Sequence, residues 1–143
     1  MKYGIDINNT RILNAISQGL KETGNFVVDL SKNQNKNMGK NLLEKVLIAN
    51  TTNIDFYVGI EFKKDISICE IFYDRNSKVC CEMVENLLKD NLKKTICEKG
   101  EHLYLLKNIN APGLYIRVPL ENEEIMEKLN IEGIVNILAN FNL

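Results

Sequence analysis

The chain has 143 residues, a formal net charge of -1 and 45% hydrophobic residues. That length and apolar content describe one domain, 1–143, able to bury a sizeable core. Acidic and basic residues are interspersed, so no basic face exists to neutralise a run of phosphates, and nucleic acid is not an expected partner. No apolar run reaches the length of a membrane span, and the opening MKYGIDI carries no apolar leader core, so the chain as written is expected to be cytoplasmic and to have no membrane partner.

In chain order, residues 2–7 predict a first strand, and Asn8, Asn9 and Thr10 offer capping side chains ahead of Ile12, Leu13, Ile16 and Leu20 at helical spacing. Gly24 is placed to close that helix in the left-handed conformation, and residues 26–30 predict the second strand of a right-handed β-α-β unit. The polar stretch SKNQNKN, residues 31–37, predicts a solvated loop. Leu42, Leu43, Val46 and Leu47 mark a second helix.

Residues 53–61, NIDFYVGIE, are almost continuously apolar, β-branched or aromatic, as suits a central strand of a parallel sheet buried on both faces. Glu61 is expected at its C-terminal end, where open α/β sheets bind ligands. Residues 66–73 predict another strand, followed by a helix whose apolar face includes Val79, Met83, Val84, Leu87 and Leu88. Residues 92–98 fit a loop or short strand, and residues 103–106 a brief strand. Residues 114–118 predict the last strong strand, ended by Pro119, and a closing helix from about Asn130 places Ile131, Ile134, Val135, Ile137 and Leu138 against the sheet. Together these elements predict an α/β three-layer sandwich with a mostly parallel central sheet flanked by helices.

Cys69, Cys80, Cys81 and Cys97 match neither a zinc knuckle nor a small disulfide scaffold, and are expected to be buried free thiols. If the strands ending near Ile7, Ile60 and Val118 are parallel neighbours, Asn8 or Asn9, Glu61 and Arg117 meet at one sheet edge. Such a carboxylate and guanidinium can serve a ligand, or simply satisfy each other as a partly buried ion pair. If fully buried, loss of either partner would cost about 3–5 kcal/mol. His102, the only histidine, falls in a polar turn and is expected on the surface; Asp6 carries no accompanying motif.

At these positions the sequence resembles the zinc-dependent N-acetylmuramoyl-L-alanine amidases, hydrolases of the bacterial cell wall. GIDINN at residues 4–9 resembles the family's Gly-Ile-Asp-x-Gly-His opening, and IANTTNIDFYVGIEFK at 48–63 its Ala-Asn-x-x-x-Ala-Asp-hydrophobic-Ser-Ile-His-x-Asn segment. LYLLKNINAPGLYIRVPLEN at 103–122 is similar to the stretch that carries the catalytic glutamate, and IEGIVNIL to the closing helix. The resemblance implies an amidase-like fold over nearly the whole chain.

It also implies a zinc ion held by two histidines and a glutamate, with a second glutamate activating water. Here Asn9 stands at the first histidine position, Glu61 at the second and Arg117 at that of the catalytic glutamate, while the loop that brings the ligand glutamate is shortened away. An arginine opposes a cation and is no base at neutral pH. The resemblance therefore implies a pseudoenzyme with no catalytic residues, no metal and no cofactor of its own, in which Glu61 and Arg117 compensate each other.

Its expected role is a peptidoglycan-binding or protein-interaction module, partnered by peptidoglycan or an active wall hydrolase and released to the wall by lysis or a dedicated route. The alternative is an active cell-wall amidase with an atypical site, such as Asp6 with Glu61 around a magnesium or calcium ion.

Overall fold

The computed structural model describes residues 1–31, 37–92 and 94–141. Among these residues the six strands are β1 (Lys2–Ile7), β2 (Phe26–Asp29), β3 (Phe56–Lys63), β4 (Cys69–Tyr73), β5 (Thr95–Lys99) and β6 (Gly113–Pro119). The helices are α1 (Thr10–Glu22), α2 (Met38–Thr51), α3 (Lys78–Lys89), α4 (Tyr104–Asn108), α5 (Glu123–Leu129) and α6 (Ile131–Asn140). The strands form one sheet in the order β2-β1-β3-β6-β4-β5. β2, β1, β3 and β6 run parallel, whereas β4 meets β6 antiparallel and carries β5 parallel to itself. The α/β architecture is therefore the three-layer, mostly parallel one that the hydrophobic pattern predicts.

Alternation along the strands divides the side chains between two faces. Tyr3, Ile5 and Ile7 of β1, Phe56, Val58 and Ile60 of β3, and Leu114, Ile116 and Val118 of β6 point one way. They pack under Ile12, Ile16 and Leu20 of α1, Val84 and Leu88 of α3, and Ile134 and Leu138 of α6. A smaller cluster on the opposite face joins Tyr57 and Phe72 to Val46 and Ala49 of α2 and to Leu105 and Leu106 of α4. No helix among the described residues is long and apolar enough to cross a membrane.

Several local expectations change. Residues 103–106 contribute to helix α4 rather than a strand: the Lys107 amide donates to the Leu103 carbonyl at 2.9 Å and that of Ile109 to Leu105 at 3.0 Å. Four apolar residues in a row carry no period that separates helix from strand. β3 does not end at Glu61, because Phe62 is buried and pairing continues to Lys63 opposite Pro119. The strand expected over 66–73 begins only at Cys69.

On α3 the buried stripe is Cys80, Cys81, Val84 and Leu88, while Val79 and Met83 are 59% and 42% exposed. Cys81 is not a free thiol: it is bonded to Cys97 of β5, which lies beneath it, whereas Cys69 and Cys80 are free and buried. Burial pushes both of these thiols up to about 12. The loop expected over 31–37 falls outside the described residues except for Ser31 and Asn37. Gly24 takes a φ of 85° just beyond α1, the left-handed turn expected there.

Candidate functional site

Strand register assembles the polar residues of the second face into two rows. Asp6, Gly59, Tyr115, Phe72 and Glu98 stand side by side across β1, β3, β6, β4 and β5. The next row, towards the C-terminal ends of β3 and β6, holds Glu61, Arg117, Glu70 and Ile96. Arg117 thus lies between two carboxylates on neighbouring strands.

The Nε of Arg117 is 3.4 Å from Oε1 of Glu61, with the two side chains 28% and 36% exposed. The contact is ionic rather than a well-aligned hydrogen bond, and this buried Nε has no hydrogen-bond partner. Aromatic rings support the guanidinium: its centre lies 5.3 Å from the ring of Phe72 and 5.7 Å from that of Tyr115. Burial, then the nearby Glu61 and Asp6 carboxylates, push the Tyr115 phenol well above its ordinary value, so it stays a neutral hydroxyl.

Asp6 is committed elsewhere. Its Oδ1 accepts from Nζ of Lys45 at 2.9 Å and its Oδ2 from the Tyr57 hydroxyl at 2.9 Å, with Asp6 itself 9% exposed. The Tyr57 phenol is raised well above the usual range by burial first and by Asp6 second, and so remains a donor. Gly59 makes this possible, since a Cβ there would lie 2.5 Å from the Tyr57 hydroxyl oxygen and 2.7 Å from the Tyr115 ring. Glycine is required at that point for the space above it rather than for its dihedral angles.

The two asparagines expected at the edge serve the backbone instead. The Asn8 side chain accepts from the Phe62 amide at 2.8 Å and donates to the Phe62 carbonyl at 3.2 Å, prolonging the β1–β3 pairing. Oδ1 of Asn9 accepts from the Ile12 amide at 2.9 Å as the cap of α1. Only these two residues separate β1 from α1. His102 is exposed, with its ring edge-on to Phe72 at 5.6 Å between centroids.

The structure thus brings Glu61 and Arg117 together and leaves Asn9 out of the cluster. Asp6, which the sequence offered as a partner for Glu61, is instead bound to Lys45 and Tyr57, and these two residues together with Glu70, Phe72 and Tyr115 are additions to the expected cluster. Counting by twos from Arg117 to Tyr115 would have found the second of the supporting rings.

Matches to solved structures cover the chain almost end to end. The catalytic domain of CD27L, an endolysin targeting Clostridia difficile, superposes with a TM-score of 0.78 at 15% identity, over 96% of this chain and 94% of that one. This chain has the amidase fold. The N-acetylmuramoyl-L-alanine amidase of Clostridium difficile 630 follows at 0.72 and 17% identity, covering 96% and 94%. The CwlD amidase of Clostridioides difficile, solved in complex with the GerS lipoprotein, gives 0.63 at 16% identity over 96% and 92%. No family model matches the sequence, and no curated protein does.

The zinc ion that the resemblance implies does not fit the residues at this edge. Asn9 is spent on a helix cap, Asp6 on a lysine and a phenol, and Glu61 faces a guanidinium whose charge repels a cation. Among the described residues no three His, Cys, Asp or Glu side chains are grouped to hold a metal ion.

Proposed function

We propose that this chain is a non-catalytic relative of the N-acetylmuramoyl-L-alanine amidases that binds peptidoglycan on the sheet face carrying Glu61 and Arg117. The observation that carries this reading is the Glu61–Arg117 pair at 3.4 Å, at the positions where the resemblance implies a zinc ligand and a catalytic glutamate. A guanidinium supplies fixed positive charge and hydrogen-bond donors but neither a base nor a metal ligand, which suits recognition rather than hydrolysis. Phe72 and Tyr115 hold it, and their packing favours a preformed contact surface over a mobile one.

Co-sedimentation of the purified protein with isolated peptidoglycan tests this, comparing wild type with Arg117→Ala and Glu61→Ala after circular dichroism has verified their folding. Saturable binding that the folded variants lose is the expected result. Absence of binding by the wild type overturns the peptidoglycan assignment. Stoichiometric zinc in the purified protein together with hydrolysis of cell wall overturns the non-catalytic one.

The second reading, a protein-interaction module, draws on the neighbour CwlD, whose structure was solved with a lipoprotein bound. It gains weight from Leu43 and Leu47, exposed one turn apart on α2. Binding of a protein partner that survives both substitutions at the pair but fails in Leu43→Glu/Leu47→Glu, with no peptidoglycan binding by the wild type, would favour this second reading and place the contact surface on that helix.

A further inference from the structure

The mixed sheet has two carboxyl edges. β1, β2, β3 and β6 end beside Glu61 and Arg117, whereas β4 and β5 run the other way and end at the opposite edge, with Tyr73 facing Leu114 and Lys99. At that second edge a cleft of about 380 Å³ is lined by Tyr73, Asp74, Arg75, Lys99, Leu106 and Lys107, with Glu101 on its wall. The volume falls among those of small-molecule sites, and strand C-terminal ends are where α/β sheets place them.

We propose that this cleft binds a small phosphomonoester. Three cations converge on it from three separate elements: Arg75 from the turn after β4, Lys99 from the end of β5 and Lys107 from α4. Lys99 and Lys107 are exposed, and no ion pair or side-chain hydrogen bond engages either one among the described residues. Arg75 is anchored: its Nε is 3.7 Å from Oδ2 of Asp74, its Nη1 donates to the Asn110 carbonyl, and its backbone holds a φ of 48°. Such left-handed conformations in a non-glycine residue persist only where the surroundings enforce them.

The carboxylates in the lining offset only part of this charge, because Asp74 neutralises Arg75 and leaves both lysines to a single glutamate. Asp74 is committed to the Arg75 contact and to the Gly113 amide, which donates to its Oδ1 at 2.8 Å, so among the described lining residues Glu101 alone opposes the two unpaired lysines, leaving a net positive charge. A phosphate group spreads its acceptor oxygens tetrahedrally and so meets donors arriving from separate elements better than a planar carboxylate does. Tyr73 and Leu106 supply the apolar wall for the organic part of the ligand.

Titration of the full chain with inorganic phosphate, a hexose 6-phosphate and acetate, followed by amide chemical shifts at matched ionic strength, tests the proposal. The expected result is saturable movement of the Arg75, Gly100 and Lys107 amides with both phosphates, tighter for the hexose 6-phosphate. Lys99→Gln/Lys107→Gln should weaken that binding by about tenfold or more, since each lysine makes a charge-assisted contact. Both side chains are exposed, and preserved dispersion of the remaining amides verifies that the variant is folded. Shifts that do not saturate, an equal response to acetate, or affinity unchanged in the double variant overturn the site. Inorganic phosphate binding as tightly as the hexose 6-phosphate overturns the monoester assignment.

Discussion

The two faces of the sheet divide the labour of this molecule. The face under α1, α3 and α6 is built from aliphatic and aromatic side chains with almost no polar atoms to satisfy, so many residue combinations fill it equally well. The other face carries Asp6, Tyr57, Glu61, Glu70, Tyr115 and Arg117, each needing a partner of particular chemistry. The contrast explains how a fold shared over 96% of the chain coexists with 15% sequence identity. The apolar face preserves the architecture by pattern alone, while the polar face is free to change its chemistry provided its charges remain paired.

That division can be broken most forcefully at Asp6. Asp6→Ala strands the Lys45 ammonium and the Tyr57 hydroxyl in a largely buried place, and urea unfolding should show a loss of about 3–5 kcal/mol. Tyr57→Phe and Lys45→Met each leave Asp6 one partner and should cost less, so the three variants separate the pair from the network.

Gly59→Ala comes next. The added methyl collides with the Tyr57 hydroxyl and the Tyr115 ring, and overpacking of this kind costs about 1–3 kcal/mol by the same measurement. Retained stability would show that both rings can move aside, and the polar face would be softer than its register suggests.

Alkaline pH sharpens the comparison from the other side. The folded values of Tyr3 and of the thiols of Cys69 and Cys80 are pushed up to about 12 from ordinary values of 10.0 and 9.0, and those of Tyr57 and Tyr115 are also raised. A raised folded value means that the unfolded chain releases its proton first. The stability these groups contribute is therefore complete below pH 9 and declines as pH rises from there towards 12. Urea midpoints measured between these limits should fall, and fall less steeply in Tyr57→Phe, which removes one of the titrating phenols.

The smallest effect belongs to the pair at the centre of the proposed binding face. With side chains 28% and 36% exposed, Glu61 and Arg117 are too well solvated to be worth the 3–5 kcal/mol of a buried pair. A double-mutant cycle of Glu61→Ala and Arg117→Ala should return a coupling of about 0.2–1 kcal/mol. Such a value leaves both residues available to a ligand at little cost to the fold.

Much of the scaffold was legible from residue pattern. The run through Ile60 marked the central strand, Asn9 ahead of Ile12 marked a helix start, and parallel pairing of the first, third and last strands put Glu61 beside Arg117. What escaped was decided by contacts distant in sequence. Residues 103–106 are too few to show a period, and they become helical where Leu105 and Leu106 cover Phe72 and its neighbours. Cys81 reads as an ordinary apolar helix residue until β5 brings Cys97 beneath it.

Asn9 is the clearest example of the limit. Its amide was equally suited to a cap and to a cleft, and only the tight turn into α1 committed it to the Ile12 amide. By itself the sequence determined the layered α/β fold, because burial depends on local periodicity that the chain carries residue by residue. Tertiary structure alone decided the antiparallel entry of β4, the committed Asp6, and the rings around Arg117, because each depends on which strands become neighbours.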